Sequence, residues 1–242
     1  MPMSNGNSPL PHGPAEAASV LAEDARFGIG TLRRHGWRIA LLFALVLLPL
    51  WGFGQLADEV HEGEILPFDR PLLDAAHALA SHGLDALALL LAKLGYGYGV
   101  VPFDLALVLA LAVRRRKPEG LFAGIALAGS ALLNIGAKHY FGRARPAYWL
   151  SLAPETSYSF PSGHAMASMT LAMVLALLAW RTRWRWPVAC LAFAFAFLVG
   201  ASRVYLGVHF PSDILAGWTA AVAWTFGTYA VVFRGTLRPW RH

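Results

Sequence analysis

The amino-acid sequence predicts an all-α, polytopic membrane protein built as a bundle of six transmembrane helices. Hydrophobic residues make up 57% of the 242 residues and charged residues only 14%, whereas an ordinary soluble domain carries about 25% charged residues. The mean hydropathy is +0.49. Uncharged stretches long enough to cross a bilayer recur along the chain. This composition argues against a soluble globular domain, a disordered chain and a nucleic-acid-binding protein.

Six segments are candidate spans, because a helix needs about 20 apolar residues to cross the hydrocarbon core. Five of them carry no charged residue, and the second carries only Asp104. The segments are residues 39–57, 94–113, 120–137, 156–180, 186–202 and 214–233.

The basic residues predict how these spans are oriented. With six spans, 14 of the 20 Lys and Arg residues fall on one side of the membrane. They are Arg26, Arg33, Arg34, Arg38, Arg114, Arg115, Arg116, Lys117, Arg181, Arg183, Arg185, Arg234, Arg238 and Arg241. The positive-inside rule makes that side the cytoplasm, so both termini are expected there. We therefore interpret the net charge of +6 as a sign of membrane orientation.

The expected domain organisation is simple. Residues 1–36 are polar and rich in Gly, Pro and Ala, and we expect a cytoplasmic tail followed by a membrane domain over 37–236. Residues 67–95 are expected to form one or two amphipathic helices on the outer surface. The alternative for this segment is a seventh span, which would move everything from residue 114 onward to the opposite side and break the charge rule.

Six basic residues remain on the outer side, where the orientation rule disfavours them. They are Arg70, Lys93, Lys138, Arg143, Arg145 and Arg203. Ionisable residues at membrane depth indicate a functional site. Three clusters far apart in sequence reach this side: Lys138 with Arg145-Pro146, then Pro161-Ser162-Gly163-His164, then Ser202-Arg203 with His209 and Asp213.

The residue types in these clusters suit phosphoryl chemistry. Lys138, Arg145 and Arg203 with little acid beside them suit a dianion, and the first turns of two spans add free backbone N–H groups. His164 and His209 can serve as nucleophile and proton donor, and Asp213 is within reach of His209. We expect no second acid near His209 and no carboxylate cluster for magnesium. Chemistry without a metal or cofactor is therefore expected.

Taken together, the three clusters resemble the signature motifs of the type 2 phosphatidic acid phosphatase superfamily. The motifs are Lys138-x6-Arg145-Pro146, Pro161-Ser162-Gly163-His164 and Ser202-Arg203-x5-His209-x3-Asp213. The resemblance implies that His209 forms a phosphohistidine, that Asp213 orients it, and that His164 acts first as acid and then as base. It also implies a set of groups that stabilise the transition state, namely Lys138, Arg145, Arg203, Ser162 and the Gly163 amide.

Some of these residues have simpler interpretations. Lys138 and Arg145 could be interface anchors that extend toward lipid head groups, and Asp213 could merely cap the sixth span. His139 and Arg143 lie inside the spacer of the first motif. We predict that both are rim residues, with Arg143 as an additional contact to the lipid phosphate.

The expected function is that of a membrane lipid phosphatase without an obligate protein partner. The leading substrates are an isoprenyl pyrophosphate, phosphatidic acid and phosphatidylglycerol phosphate, and the expected location is a bacterial inner membrane with the site on the periplasmic side. The alternatives are a phosphotransferase that uses the same residues and a non-catalytic lipid-phosphate binder or transporter. Soluble vanadate-dependent haloperoxidases share the residue set, but the six spans argue against that class.

Overall fold

The computed structural model describes residues 43–233, together with Gly36, Ala40 and Leu41. Apart from Gly36, the predicted tail at 1–36 lies outside the described residues, and so do the basic residues after residue 233. The chain divides between residues 43 and 44 into two units, and the site described below belongs to the second.

Every regular element within residues 43–233 is an α-helix, which confirms the predicted all-α class. The helices are α1 Phe43–His61, α2 Asp69–Ala78, α3 His82–Leu94, α4 Val100–Val113, α5 Lys117–Phe141, α6 Gly163–Ala179, α7 Arg185–Tyr205 and α8 Pro211–Val232.

Four of these helices, α1, α5, α7 and α8, are long and apolar enough to cross a membrane. The second and fourth predicted spans correspond to shorter helices, α4 with 14 residues and α6 with 17. Both begin later than the apolar segment. Gly95, Gly97 and Gly99 weaken the helix before α4, and Pro161 disfavours helical geometry in the residue before it.

The outer surface of the bundle is apolar. Large hydrophobic side chains are well exposed on several helices, for example Leu105 at 69% on α4, Leu132 at 70% on α5 and Phe197 at 59% on α7. A soluble protein rarely exposes such a continuous apolar surface, whereas lipid chains solvate it readily. The surface and the long apolar helices together indicate an integral membrane protein.

Helix α6 occupies the centre of the bundle and packs against α5, α7 and α8. Its N-terminus approaches α8 closely at Gly217, where a Cβ atom would lie 2.9 Å from the Ser162 carbonyl oxygen. Only a residue without a side chain permits this approach. Gly217 therefore sets the position of the loop that leads into α6.

Helices α2 and α3 occupy the segment at 67–95, in agreement with the prediction of one or two helices there. Both pack against α7, and α2 also packs against α8. The C-terminal ends of α5 and α7 meet the N-terminal ends of α6 and α8 at the same end of the bundle, and the loop at 142–162 contacts all of them. The three sequence clusters lie at this end.

Candidate active site

His209 and Asp213 form a buried pair at the start of α8. His209 lies in the turn before the helix, and its Nδ1 atom is 3.3 Å from Oδ2 of Asp213. The same carboxylate oxygen accepts a hydrogen bond from the Phe210 backbone N–H at 2.9 Å and another from the Ser159 hydroxyl. With Nδ1 donating to Asp213, the opposite ring atom, Nε2, keeps its lone pair.

The environment of His209 keeps the ring neutral. Burial lowers the pKa of His209 to about 4, although the hydrogen bond that its Nδ1 atom donates to Asp213 acts in the opposite direction. A neutral imidazole with an unprotonated Nε2 is the form that can attack phosphorus.

Arg145 lies beside this ring and is fixed by its neighbours. Its Nε atom donates to the Ser157 carbonyl oxygen at 2.7 Å, and its Nη1 atom donates to the Val208 carbonyl oxygen at 2.7 Å. Nη1 is also 3.0 Å from Nε2 of His209. The guanidinium is thereby aimed at the atom predicted to be the nucleophile.

Arg203 comes from the last turn of α7 and is only 1% exposed. Its Nη2 atom pairs with the Glu155 carboxylate. Its Nε atom is buried and has no hydrogen-bond partner among the described residues. An unpaired charged donor in a buried site favours an anion that could accept its hydrogen.

Glu155, from the loop before α6, lies at the centre of the site. One carboxylate oxygen, Oε2, is 2.5 Å from Nη2 of Arg145, and Oε1 pairs with Arg203. Oε1 is also 3.7 Å from Nδ1 of His164, and Oε2 is 4.0 Å from Nε2 of His209. The imidazole distances are too long for hydrogen bonds. Two guanidiniums and two imidazoles thus surround one carboxylate.

The carboxylate is ionised in this position. Burial alone would raise the pKa of Glu155, but the nearby Arg203, His209 and Arg145 side chains outweigh it and lower the pKa below its usual value. The expectation that no second acid lies near His209 is therefore wrong. The reason is that Glu155 lies 54 positions before His209 in sequence, on a loop whose path the motifs do not specify.

His164 lies beside Oε1 of Glu155, and residues outside the three motifs hold it there. Its ring centroid is 5.2 Å from that of Tyr96, and the side chain hydrogen-bonds the backbone of Ala92. These contacts come from the end of α3 and the turn that follows it. The segment predicted to lie on the outer surface thus helps to place His164.

Lys138, Ser162 and Gly163 flank this centre. The Lys138 ammonium donates to the Tyr158 carbonyl oxygen. Ser162 caps α6, because its Oγ accepts from the Ala165 N–H at 3.5 Å. A Cβ atom at Gly163 would lie 3.0 Å from Oδ1 of Asn134, so the close approach of α5 and α6 favours glycine there.

The eight predicted site residues thus fall into two groups. Four of them, His164, His209, Arg145 and Arg203, face Glu155 directly, and Asp213 lies behind His209. Lys138 and Ser162 hydrogen-bond to backbone groups, and Gly163 lies against the Asn134 side chain.

Sequence reasoning missed Glu155, Ser159 and Asn134. Asn134 donates to the Pro161 carbonyl oxygen at 3.1 Å and so supports the loop before α6. A signal for it existed, because Asn134 lies four positions before Lys138 on one helical face of an otherwise apolar span. Nothing comparable marked Ser159 or Glu155, whose positions depend on the fold of the loop.

The structure also corrects the prediction for Arg143. Its side chain is only 9% exposed, and it pairs with Asp69 and Asp213. Arg143 is therefore an interior residue of this end of the bundle, not a rim residue. His139, by contrast, is exposed, as predicted.

Two cavities adjoin the site. One of about 540 Å³ is lined by Arg143, Arg145, Tyr148 and neighbouring residues. The other, of about 610 Å³, is lined by apolar side chains of α1, α5, α6 and α8 and extends to Pro161. A polar cavity and an apolar cavity beside the same motifs suit a molecule with a charged head and a hydrocarbon tail.

Within the described part of the chain, no group of three or more His, Cys, Asp and Glu side chains is arranged to hold a metal ion. Glu155 and Asp213 each have positively charged or donor groups beside them instead.

Known proteins resemble this chain in sequence and in fold. The family model described as the PAP2 superfamily matches residues 119–237. Phosphatidylglycerophosphatase B of Bacillus subtilis is 30% identical over 169 residues, which cover 68% of this chain and 83% of the relative. Undecaprenyl-diphosphatase of Sulfolobus acidocaldarius is 35% identical over 140 residues, which cover 56% of this chain and 64% of the relative.

A solved structure extends the match to three dimensions. The crystal structure of a transmembrane PAP2 type phosphatidylglycerolphosphate phosphatase from Bacillus subtilis superposes with a TM-score of 0.72 at 26% sequence identity. The match covers 81% of this chain and 100% of that one. On the motifs, the site geometry and these similarities, the chain belongs to the PAP2 superfamily of membrane phosphatases.

Proposed function

We propose that this chain hydrolyses the phosphomonoester or pyrophosphate of a membrane lipid, without a metal ion, through a phosphohistidine on His209. The observation that supports this most directly is the arrangement around Glu155, where Arg145, Arg203, His164 and His209 face one carboxylate. In the proposed substrate complex, a phosphoryl group takes the place of that carboxylate. The two guanidiniums then bind its oxygens, as their planar donor pairs suit.

In the first step, Nε2 of His209 attacks phosphorus and a P–N bond forms. The bond between phosphorus and the leaving oxygen breaks, and His164 donates a proton to that oxygen. Asp213 accepts a hydrogen bond from Nδ1–H throughout, while the proton stays on the ring, and the carboxylate stabilises the positive charge that the ring acquires. Arg145 and Arg203 offset the charge on the equatorial oxygens.

In the second step, water attacks phosphorus. His164, now neutral, takes a proton from that water, the P–N bond breaks, and inorganic phosphate leaves. Lys138, Ser162 and the Gly163 amide complete the proposed set of groups around the phosphoryl oxygens. Over the two steps one water molecule is consumed, the lipid product and inorganic phosphate are released, and both histidines return to their starting protonation states.

The proposed substrate is a lipid, because the apolar cavity between α1, α5, α6 and α8 reaches Pro161, next to Ser162. A hydrocarbon chain in that cavity would leave the head group at the site. The activities named for the two relatives, on phosphatidylglycerol phosphate and on undecaprenyl diphosphate, make these two lipids and phosphatidic acid the first candidates.

We further propose that α4 and α6 cross the membrane together with α1, α5, α7 and α8, which makes six spans within a domain over 37–236. The residues before each short helix would lengthen its path through the bilayer. The basic residues at 114–117 and 181–185 then face the cytoplasm, and the site faces the periplasm of a bacterial inner membrane, with α2 and α3 on that outer side.

Phosphate release from lipid phosphates tests the proposed activity. Protein purified in detergent is incubated with each of the three candidate lipids and a chelator, beside His209→Gln and the exposed control His82→Gln. We expect release from at least one lipid, full activity in the control and none in His209→Gln. A requirement for added metal, or normal release by His209→Gln, would contradict the proposed mechanism.

The same assay separates the alternatives. A phosphotransferase would consume the lipid phosphate without stoichiometric free phosphate and would need a second alcohol as acceptor. A binder or transporter would bind the lipid but release nothing. For orientation, a tag placed after residue 242 should be accessible from the cytoplasm alone; access from the periplasm would overturn the proposed topology.

A further inference from the structure

A second buried cluster of charges lies directly behind Asp213. Its members are Asp69 at the start of α2, Arg143 just after α5, and Asp213 itself. The two acids have no exposed surface, and the Arg143 side chain is 9% exposed. None of the three motifs includes Asp69 or assigns a role to Arg143.

Arg143 joins the two acids. Its Nη1 atom donates to Oδ1 of Asp213 at 2.6 Å and to the Ser212 hydroxyl at 2.8 Å. Its Nη2 atom donates to Oδ2 of Asp69 at 3.1 Å. The face of the guanidinium lies 4.2 Å from the centroid of the Phe210 ring. These contacts engage both Nη atoms of the guanidinium with acceptors of the protein itself, although the Arg143 side chain also borders the polar cavity beside Arg145.

Asp69 is in turn fixed to the first turn of α8. Its Oδ1 accepts from the Ser212 backbone N–H at 2.8 Å, and its Oδ2 accepts from the Ser212 hydroxyl at 2.6 Å. The acid therefore holds both Arg143 and the residue beside Asp213. These hydrogen bonds between Asp69 and Ser212 connect the start of α2 to the candidate active site.

The two oxygens of Asp213 have different partners. Oδ2 accepts from the Ser159 hydroxyl, the Phe210 backbone and Nδ1 of His209, whereas Oδ1 accepts from Arg143. With both oxygens bound, the carboxylate has one orientation. Without Arg143, Oδ1 would be buried and unsatisfied, and rotation of the carboxylate would lengthen a 3.3 Å contact to His209 that is already long.

We propose that Arg143 and Asp69 are positioning residues that hold the Asp213 carboxylate in the orientation His209 requires. Arg143 acts through Asp213, and Asp69 acts through Arg143 and Ser212. The inference rests on the proposed function, because it assigns Asp213 the orienting role there. If these ion pairs only stabilised the fold, substitution of Arg143 would have the same effect whether or not Asp213 is present. A positioning role predicts instead that the effect on kcat disappears once Asp213 is changed.

A double-mutant cycle tests this distinction. We expect Arg143→Met to lower kcat by roughly 10- to 100-fold, the loss seen when the hydrogen-bond partners that orient metal-ligating side chains are removed, with little change in KM. In the Asp213→Asn background, the same substitution should change kcat by less than about twofold, because residues that act in series are not additive. Equal losses in both backgrounds would overturn the proposal.

The acid partner has a matched control on the same helix. Asp69 is buried against Arg143, whereas Asp74 is half exposed and pairs with Arg70 on the surface. Asp69→Asn should lower kcat by several-fold, and Asp74→Asn should leave it unchanged. If both variants retain the parental kcat, Asp69 has no positioning role.

Further measurements separate folding and phosphate binding from positioning. Size-exclusion profiles and thermal unfolding in detergent identify any variant that fails to fold. If Arg143→Met does not fold, Arg143→Lys takes its place; because it keeps the positive charge, it should keep part of the parental kcat. Inhibition by inorganic phosphate should be unchanged in both Arg143 variants; weaker inhibition would make Arg143 a phosphate ligand and overturn the proposal. If the parent protein releases no phosphate from any lipid, the proposed function itself fails. If the parent is active but substitution of Arg143 leaves kcat unchanged, only the positioning role fails.

Discussion

Nδ1 of His209 lies 3.3 Å from Oδ2 of Asp213, and both side chains are buried at the start of α8. The pair fixes which ring nitrogen carries the proton, because the carboxylate accepts from Nδ1 and leaves Nε2 unprotonated toward the site. Nucleophilic attack by His209 in the proposed mechanism requires this tautomer.

Asp213→Asn should therefore abolish most of the activity while the protein still folds. The amide nitrogen can donate to Nδ1, which favours the wrong tautomer, and kcat should fall by roughly 10³- to 10⁴-fold as in other His–Asp pairs. Phosphate release from the best lipid substrate measures kcat, and Asp58→Asn, on an exposed site of α1, is the control. A loss below tenfold would mean that Asp213 only caps α8.

The buried environment of His209 predicts an unusual acid limit for activity. Since burial lowers the pKa of this ring to about 4, the nucleophile stays neutral at pH values where an ordinary histidine, with a pKa of about 6.5, is protonated. We expect kcat/KM, corrected for ionisation of the substrate, to persist from neutral pH down to about pH 5 and to fall as pH 4 is approached.

This correction requires the pKa of the substrate's phosphate group, which is measured by monitoring its ³¹P chemical shift against pH in the same micelles. If the corrected profile already falls with a midpoint near 6.5, His209 is not held neutral by burial, and the assignment of the nucleophile would be in doubt.

Glu155 pairs with Arg145 and Arg203, and in the proposed substrate complex a phosphate group would compete with it for these two guanidiniums. Replacing the carboxylate by an amide in Glu155→Gln removes the competing charge, so inorganic phosphate should inhibit the variant roughly five- to tenfold more strongly, a difference of about 1 kcal/mol or slightly more. Glu62→Gln, which changes an exposed glutamate after α1, is the matched control. Weaker inhibition of Glu155→Gln than of the parent would show that the carboxylate helps phosphate to bind.

Arg203 should not be replaceable by lysine. Its buried Nε has no partner among the described residues, and Nη2 points to the centre of the site. A lysine offers a point charge instead of a planar pair of donors. Arg203→Lys should lower kcat by about 10²-fold, whereas Arg70→Lys, on the exposed surface of α2, should have no effect. Parental kcat in Arg203→Lys would remove this residue from the transition-state contacts.

The all-α class, and the convergence of the three motifs at one end of the bundle, could be predicted from the sequence alone. Uncharged stretches of about 20 residues have few alternatives to helices in a membrane. In the predicted six-span topology, successive spans run in opposite directions, which places Lys138, His164, Arg203 and His209 at the same end whatever the details of packing.

Residues that depend on loop conformation could not be predicted in the same way. Glu155 reaches the centre of the site only because the loop at 142–162 folds back over it. Arg143 lies in the spacer of the first motif, which assigns it no role, and so the sequence predicts only a rim position for it. The buried acid that turns it inward, Asp69, is 74 positions away in sequence. The predicted starts of the second and fourth spans are too early for a local reason. Near Gly99 and Pro161 the apolar composition continues, but the backbone is not helical.

The most direct test of the central claim is to identify the residue that carries the phosphoryl group. The parent protein, His164→Gln, His209→Gln and the control His82→Gln are quenched during turnover of a ³²P-labelled lipid phosphate. The label is then located by mass spectrometry under alkaline conditions. We predict an acid-labile, base-stable phosphohistidine at position 209 in the parent and the control, more of it in His164→Gln if loss of the base slows hydrolysis more than transfer, and none in His209→Gln. A label on another residue, or undiminished labelling of His209→Gln, would contradict the account.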